Sequence, residues 1–173
     1  SDKAEEIVGT NPTDPDTDND GLLDGGEIRG GTNPLDGRPV SSGVLATGDT
    51  PGRALDVCIT GEIAIVADNT AGVAVFSLQN GINPTLIAQV DTPGNAVAVA
   101  CDGNFVAVAD SATGLAIVDV ADPANARLIH QVAFADVASA VATSGGVAYV
   151  ALGPGGLAVV DLANGVELDR LTD

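Results

Sequence analysis

The sequence has no Trp and no Met, one Tyr and three Phe, so aromatic residues make up 2% of its 173 positions. The hydrophobic share is nonetheless 45%, which leaves Ala, Val, Ile and Leu to build any core. Basic side chains are scarce, 6 against 24 acidic, for a formal net charge of −18. Such a field repels phosphate and excludes nucleic acid and anionic membrane surfaces as partners. No uninterrupted apolar run of about 18 residues occurs, which excludes direct membrane insertion by a helix. The opening stretch, SDKAEEIVGTNP, lacks the basic start and apolar run of a signal peptide, so an export signal is expected outside this sequence. A single histidine, His130, has no companions that sequence alone can assemble into a nucleophilic set. No glycine-rich phosphate loop stands between a strand and a helix, and Gly153-Pro154-Gly155-Gly156 reads as a turn.

What is present falls into two regions. Residues 1–36 carry ten acidic and two basic side chains and are rich in Asp, Gly, Asn, Pro and Thr. Residues 37–173 spread fourteen acidic and four basic side chains over an alternation of apolar and small residues. Residues 37–43, Gly-Arg-Pro-Val-Ser-Ser-Gly, read as the linker between them. In the first region Gly9-Thr10-Asn11-Pro12 recurs 22 residues later as Gly31-Thr32-Asn33-Pro34. Asp2 and Glu5 recur at the same offset as Asp24 and Glu27, so the first copy starts part-way through the repeat. A piece of a longer chain is the expectation.

The full copy reads Asp16-Thr17-Asp18-Asn19-Asp20-Gly21-Leu22-Leu23-Asp24-Gly25-Gly26-Glu27, with acids at loop positions 1, 3, 5, 9 and 12 and glycine at position 6. Ca²⁺ takes six to eight oxygens at about 2.3–2.6 Å, and alternate residues of a tight loop can aim carboxylates at one centre. Gly21 allows the sharp turn. Five acids in twelve residues repel one another unless a cation neutralises them. The expected ligands are Asp16, Asp18, Asp20, the Leu22 carbonyl, Asp24 (directly or through water) and a two-oxygen Glu27, with Asp14 as an extra candidate. The segment before the loop holds Gly9, Pro12 and Pro15 and cannot be helical, and the exit allows about one turn of helix. These residues resemble bacterial thrombospondin type-3 repeats, in which DPDTDNDGLLDGGE and GTNPLD blocks alternate. The resemblance implies an array held together by calcium with almost no hydrophobic core, serving as a spacer beside extracellular domains, and it implies the same ligand set.

After residue 43 a second period of 42 takes over: Asp49-Thr50-Pro51-Gly52 returns as Asp91-Thr92-Pro93-Gly94, and Gly114-Leu115-Ala116-Ile117-Val118-Asp119 as Gly156-Leu157-Ala158-Val159-Val160-Asp161. About three copies fit, and each predicts four short strands, in the middle copy over 96–101, 105–109, 115–120 and 127–133. Four strands in about 40–45 residues is the size of a propeller blade. The fold class expected is all-β, a partial β-propeller of three four-stranded blades over residues 44–173, preceded by a calcium-bound, loop-rich segment. Leu115-Ala116-Ile117-Val118-Asp119 and Leu157-Ala158-Val159-Val160-Asp161 resemble the LVIVD repeat family, which implies propellers of bacterial and archaeal surface proteins with a binding or scaffolding role. Closed propellers take about four to eight blades, so further blades in a longer parent chain or a homo-oligomer are expected.

Cys58 and Cys101 are 43 apart, one more than the period, which places them on opposite sheet faces. Packed sheets lie about 10 Å apart, which favours two buried thiols, while convergence of blades near the axis leaves a disulfide open. His130 aligns with Ala88 and reads as a tolerated surface position. Asp68 and Asp110 end the second strand of two copies, where Leu152 stands in the third, and Asp119 and Asp161 end the third strand. Repeated acids of this kind cap turns more often than they pair as acid and base. The reading is a non-enzymatic, calcium-binding, cell-surface or secreted protein: a calcium-rigidified spacer plus a propeller scaffold for protein or glycan partners. Its rival is a hydrolase or lyase whose funnel site is completed by further blades.

Overall fold

The structure, a computed structural model, describes residues 9–11, 13–19, 21, 23–30, 34–35, 47–79 and 84–172. The chain forms two compact units, Ser1–Leu45 and Ala46–Asp173. The 37–43 linker lies outside the described residues. In the first unit the regular element is helix α1, Asp24–Gly30. Among the described residues the second holds twelve strands: β1 (Asp56–Thr60), β2 (Ile63–Ala67), β3 (Val73–Ser77), β4 (Thr85–Val90), β5 (Ala98–Asp102), β6 (Phe105–Ala109), β7 (Leu115–Asp119), β8 (Arg127–Val132), β9 (Ala140–Ser144), β10 (Val147–Ala151), β11 (Leu157–Asp161) and β12 (Val166–Leu171).

These pair as three antiparallel meanders, β1-β2-β3-β4, β5-β6-β7-β8 and β9-β10-β11-β12, one per sequence repeat. The first strands come together, β1 against β5 and β5 against β9. This is the blade arrangement of a propeller, and no closed barrel occurs among the described residues. The repeat holds even in its irregularities. A register shift sits between the third and fourth strands at Val75/Phe76, Ile117/Val118 and Val159/Val160, each 42 residues after the last.

Small branched side chains on both faces of the central strands explain why the sheets stack. In β6 and β7 nearly every residue is buried, since Val106, Val108, Ala116 and Val118 face the first blade while Ala107, Ala109, Leu115 and Ile117 face the third. Two cores result, one per blade interface. Each fully buried Val, Leu or Ile contributes about 1.5–3 kcal/mol. Glycine permits close approach within a blade. A Cβ on Gly72, Gly114 or Gly156 would collide with the carbonyl oxygen of Val90, Val132 or Leu171 at the end of the neighbouring fourth strand.

The strand limits shift by a residue or two from those expected, for a physical reason. The middle blade begins at Ala98 rather than 96 because Ala96 pairs its backbone with Asn69 of the preceding blade, N–H to oxygen in both directions at 3.0 and 3.1 Å. Ser111 and Ala138 repeat the bridge one blade on. Asn69, Ser111 and Gly153 share this register, and all take positive φ, 54°, 57° and 57°. At the other end of β7 the Val120 N–H leaves the ladder to reach the Asn104 carbonyl, so the strand stops at Asp119. The expected bend over residues 122–125 is a 3-10 turn, Pro123–Asn125.

Cys58 and Cys101 form a disulfide with Cα atoms 5.8 Å apart, which corrects the expectation of two buried thiols. The sheet-to-sheet spacing used for that expectation describes the middle of two packed sheets. Cys58 is on β1 and Cys101 on β5, the strands that converge, and the one-residue offset turns their side chains toward each other. Around the bond, Thr60 Oγ1 donates to the Gly103 carbonyl at 3.1 Å and the Val99 N–H donates to Asp56 Oδ2 at 2.9 Å. The bond closes a loop of 43 residues, for which the chain-entropy model gives a stabilisation of about 4 kcal/mol. The Cys58→Ala/Cys101→Ala double variant is expected to lose about 2–4 kcal/mol in urea unfolding. Unchanged stability would show that the convergent strands hold the first two blades without it.

Candidate metal centre

The acidic loop is shaped by its own backbone. Asp16 Oδ2 accepts the Gly21 N–H at 3.1 Å, tying loop position 1 to position 6, and its carbonyl accepts the Asn19 N–H at 3.3 Å. Asn19 and Gly21 both have positive φ, 59° and 97°, which folds the chain back over the Asp16 carboxylate. Gly21 serves here as expected, as the residue that tolerates the sharp turn. On the far side, the Asp24 N–H reaches the Pro15 carbonyl at 2.9 Å. Thr17 crosses the loop: its N–H donates to Asp24 Oδ1 and its hydroxyl to Asp24 Oδ2, both at 2.8 Å, while the Asn11 N–H donates to its Oγ1.

Among the expected ligands, Asp16 and Asp18 are half-buried, and Asp24 and Glu27 are buried, 4% and 2% exposed. Asp20 and Leu22 lie outside the described residues. Both Asp24 oxygens are held by Thr17, so this carboxylate locks the loop as well as carrying charge. Among the described residues, no group of three or more Asp, Glu, His or Cys side chains is arranged to hold a metal ion. Asp16, Asp18, Asp24 and Glu27 supply the hard oxygen donors that calcium takes. Past Glu27 the helix continues only to Gly30, within the one turn expected of the exit. Helix α1 begins inside the loop at Asp24 and runs seven residues. The Leu23 carbonyl accepts the N–H groups of Gly26 and Glu27, and two acids in the first turn suit the positive end of the helix.

In the second unit the repeated acids are fully buried loop clamps. Asp110 Oδ1 accepts the Thr92 hydroxyl at 2.7 Å, and its Oδ2 accepts the Gly94 N–H at 2.9 Å and the Thr113 hydroxyl at 2.7 Å. A Cβ on Gly94 would strike the Asp110 carbonyl oxygen, so the Thr-Pro-Gly turn needs its glycine. Asp68 holds the equivalent Gly52 N–H at 2.8 Å through Oδ2. Ala71 stands where Thr113 stands one blade later, and the buried Asp68 Oδ1 has no hydrogen-bond partner. The third blade exchanges the parts, with Leu152 at the strand end and an acid, Asp136, in the turn. Asp119 instead pairs with Arg127 at 3.0 Å, and Asp161 accepts the Asn164 N–H.

His130 is half-buried rather than a free surface residue. Its Nε2 lies 3.0 Å from the Ala163 carbonyl oxygen, and Gly165 is so close that a Cβ there would meet the imidazole at 2.6 Å. It bridges the second and third blades. Alignment with Ala88 hid this because the signal is in the partner loop, where Gly165 makes the room. Between the first and second blades, with Ala88 at that place, an open groove of about 510 Å³ runs past Glu62, Gln79, Asn104 and Asp122.

Stacked four-stranded meanders whose first strands converge, the first two clamped by a buried acid, define a propeller assembled from a 42-residue repeat. The chain belongs to the LVIVD repeat family, with copies at residues 51–92, 93–133 and 136–166. Residues 1–15 and 16–37 match the bacterial TSP3 repeat. Comparison with curated proteins found no match. The fold is similar to that of the computationally designed Ika4 protein, with TM-score 0.63 at 10% identity over 76% of this chain and 80% of Ika4. It is also similar to the RRP9 WD40 repeats, at 0.61 and 14% over 73% of this chain. The β-propeller domain of Cps50 (Swd1) from Myceliophteria thermophila gives 0.54 and 14% over 71%. The chain spans 40% of each of those two natural proteins.

The clamps predict unequal losses. Asp110→Ala strands the Thr92 hydroxyl and the Gly94 N–H, while the Thr113 hydroxyl keeps the residue-110 carbonyl at 2.6 Å, and is expected to destabilise the protein by about 3 kcal/mol in chemical unfolding. Asp68→Ala, which also removes an unsatisfied oxygen, is expected to cost about 1 kcal/mol. Equal losses would show that the clamp bonds do not set the difference.

Proposed function

We propose that the protein is a non-enzymatic, secreted or cell-surface scaffold, in which a calcium-binding acidic segment acts as a spacer and the propeller blades offer surfaces to protein or glycan partners. The observation that carries this is the acidic loop within the bacterial TSP3 match, with Asp16 drawn over Gly21 and Thr17 locking Asp24. Asp16, Asp18, Asp20, Asp24 and Glu27 with the Leu22 carbonyl are the ligands in this reading. When bound, calcium offsets the repulsion among clustered carboxylates and holds together a segment with little apolar core. The residues' own part is to pre-shape the loop, through Gly21 and Thr17, so that binding orders fewer degrees of freedom. Sites of this kind fill where calcium is abundant, with dissociation constants of about 10⁻⁴–10⁻³ M in extracellular modules, which supports an external location.

The acids repeated along the blades support a scaffold over a funnel enzyme, because Asp68 and Asp110 spend their carboxylates on turns. The −18 charge favours neutral or basic partners. The groove beside Glu62, Gln79 and Asn104 offers such a partner hydrogen-bonding groups at a blade boundary.

Calorimetric titration with Ca²⁺ is expected to show binding in the range above, with a shift of the first thermal transition that chelator reverses. Asp16→Ala and Asp20→Ala are each expected to weaken binding at least tenfold and leave the propeller transition unmoved. Calcium binding that both variants preserve would remove the loop as the site.

A further inference from the structure

The interface between successive blades is built from the same positions each time, and the two outermost sheet faces carry those positions again, on the first blade with Ala74 and Phe76 buried and Gly48 against the Phe76 ring. Ile65 of one blade and Val106 of the next belong to the core of the first interface, and Ala107 and Ala148 to that of the second. The next members of these two series, 42 residues on and 42 residues back, are Tyr149 and Ala64. Tyr149 is 39% exposed on the outer face of the third blade. Ala64 lines an apolar cavity of about 220 Å³ on the outer face of the first, with Val66, Phe76 and Leu78. A large side chain meets a small one with a hollow beside it, as packing across facing sheets requires. Phe76, 5% exposed with Gly48 against its ring, forms part of the wall of that hollow.

Two further features of the interface recur at these ends. The backbone bridges Asn69–Ala96 and Ser111–Ala138 continue in register to Gly153, with the same left-handed φ, and to Ala54, which is exposed. The disulfide joins Cys58 of one blade to Cys101 of the next, and the next pair in that series is Ala142 and Ile59. Both are exposed, Ile59 at 64%, as is Val57 beside it at 57%.

We propose that the outer face of the third blade docks on the outer face of the first blade of a second copy, head to tail, with Tyr149 seated in the cavity beside Ala64 and Phe76. The second copy is the occupant because one chain carries both halves of the interface in matching register, continuous with an interface it already makes twice. Two copies of three blades fall within the four to eight that close a propeller, and closure covers both faces at once. The inference goes beyond the calcium reading and does not depend on it.

The test is sedimentation of the purified chain in chelator at tens of micromolar, so that calcium bridging between acidic segments cannot contribute. The expected mass is twice the 17.0 kDa of one chain, falling to one chain in Tyr149→Asp with an unchanged circular-dichroism spectrum. Should Tyr149→Asp fail to fold, the Ile59→Cys/Ala142→Cys variant decides. It is expected to give a covalent dimer on a non-reducing gel, while each single variant does not. A monomer at all concentrations, a dimer that survives Tyr149→Asp, an open ladder of larger species, or no cross-link in the double cysteine variant would each overturn the proposal.

Discussion

The constraint on which the second unit depends is that each four-stranded sheet is apolar on both faces and cannot be covered by its own strands. A lone blade would expose Val106, Val108 and Val118 on one side and Ala107, Leu115 and Ile117 on the other, all fully buried here. Coverage comes from the neighbouring blade. The near absence of aromatic residues follows from this arrangement, because Ala and Val let two sheets approach closely and Gly114 lets adjoining strand ends meet. The same constraint places the structural bonds. The bridges at Ala96 and Ala138, the Cys58–Cys101 disulfide and the Thr143 hydroxyl on the Cys101 carbonyl all lie where the first strands converge. A blade is thereby pinned near the axis and left freer at its fourth strand, where β12 is mostly exposed.

The acidic unit solves the opposite problem. Its order rests on short polar links: Thr17 to Asp24, Gly21 to Asp16, and the Asn11 side-chain oxygen accepting from Thr13. Such bonds net about 1 kcal/mol each against competition from water, too little to offset chain entropy and the repulsion of neighbouring carboxylates. In the proposed calcium reading, a cation that takes several of those carboxylates would remove the repulsion and supply the missing cohesion. The two units differ accordingly: one is stabilised by removing apolar surface from water, and in the calcium reading proposed above the other depends on neutralising charge.

Much of the blade architecture was legible in the sequence because a period of 42 superimposes turns, strands and bulges, so a feature seen once could be checked twice. Strand β6 at Phe105–Ala109 was readable to the residue. What periodicity could not show was where one copy spends its backbone on another. Ala96 looks like a strand residue by composition and is a bridge by position, and nothing local distinguishes the two. Cys58 and Cys101 failed for a related reason, since a mean sheet spacing says nothing of the axis, where the distance shrinks to 5.8 Å. In the acidic loop the spacing of Asp16, Gly21, Asp24 and Glu27 identified the motif. The role of Thr17 was invisible, because a threonine between two acids carries no signal until the chain folds back seven residues to Asp24.

The exchange of residues at the clamp shows how such a repeat diverges without losing its shape. A buried carboxylate at the end of the second strand requires donors around it, so Asp110 comes with Thr92, Gly94 and Thr113. In the first copy Ala71 takes away the donor that Thr113 gives to Oδ2, and Asp68 Oδ1, whose counterpart holds the Thr92 hydroxyl, is unsatisfied although Thr50 stands at that position, at a cost of about 1–3 kcal/mol. Removing the acid as well, as Leu152 does in the third, removes that cost and turns the position into core. The acid then reappears in the turn as Asp136, against Gly155. Substitutions at these positions are therefore coupled. In the third copy acceptor and donors differ together, Leu152 in place of the acid and Gly155 in place of the threonine.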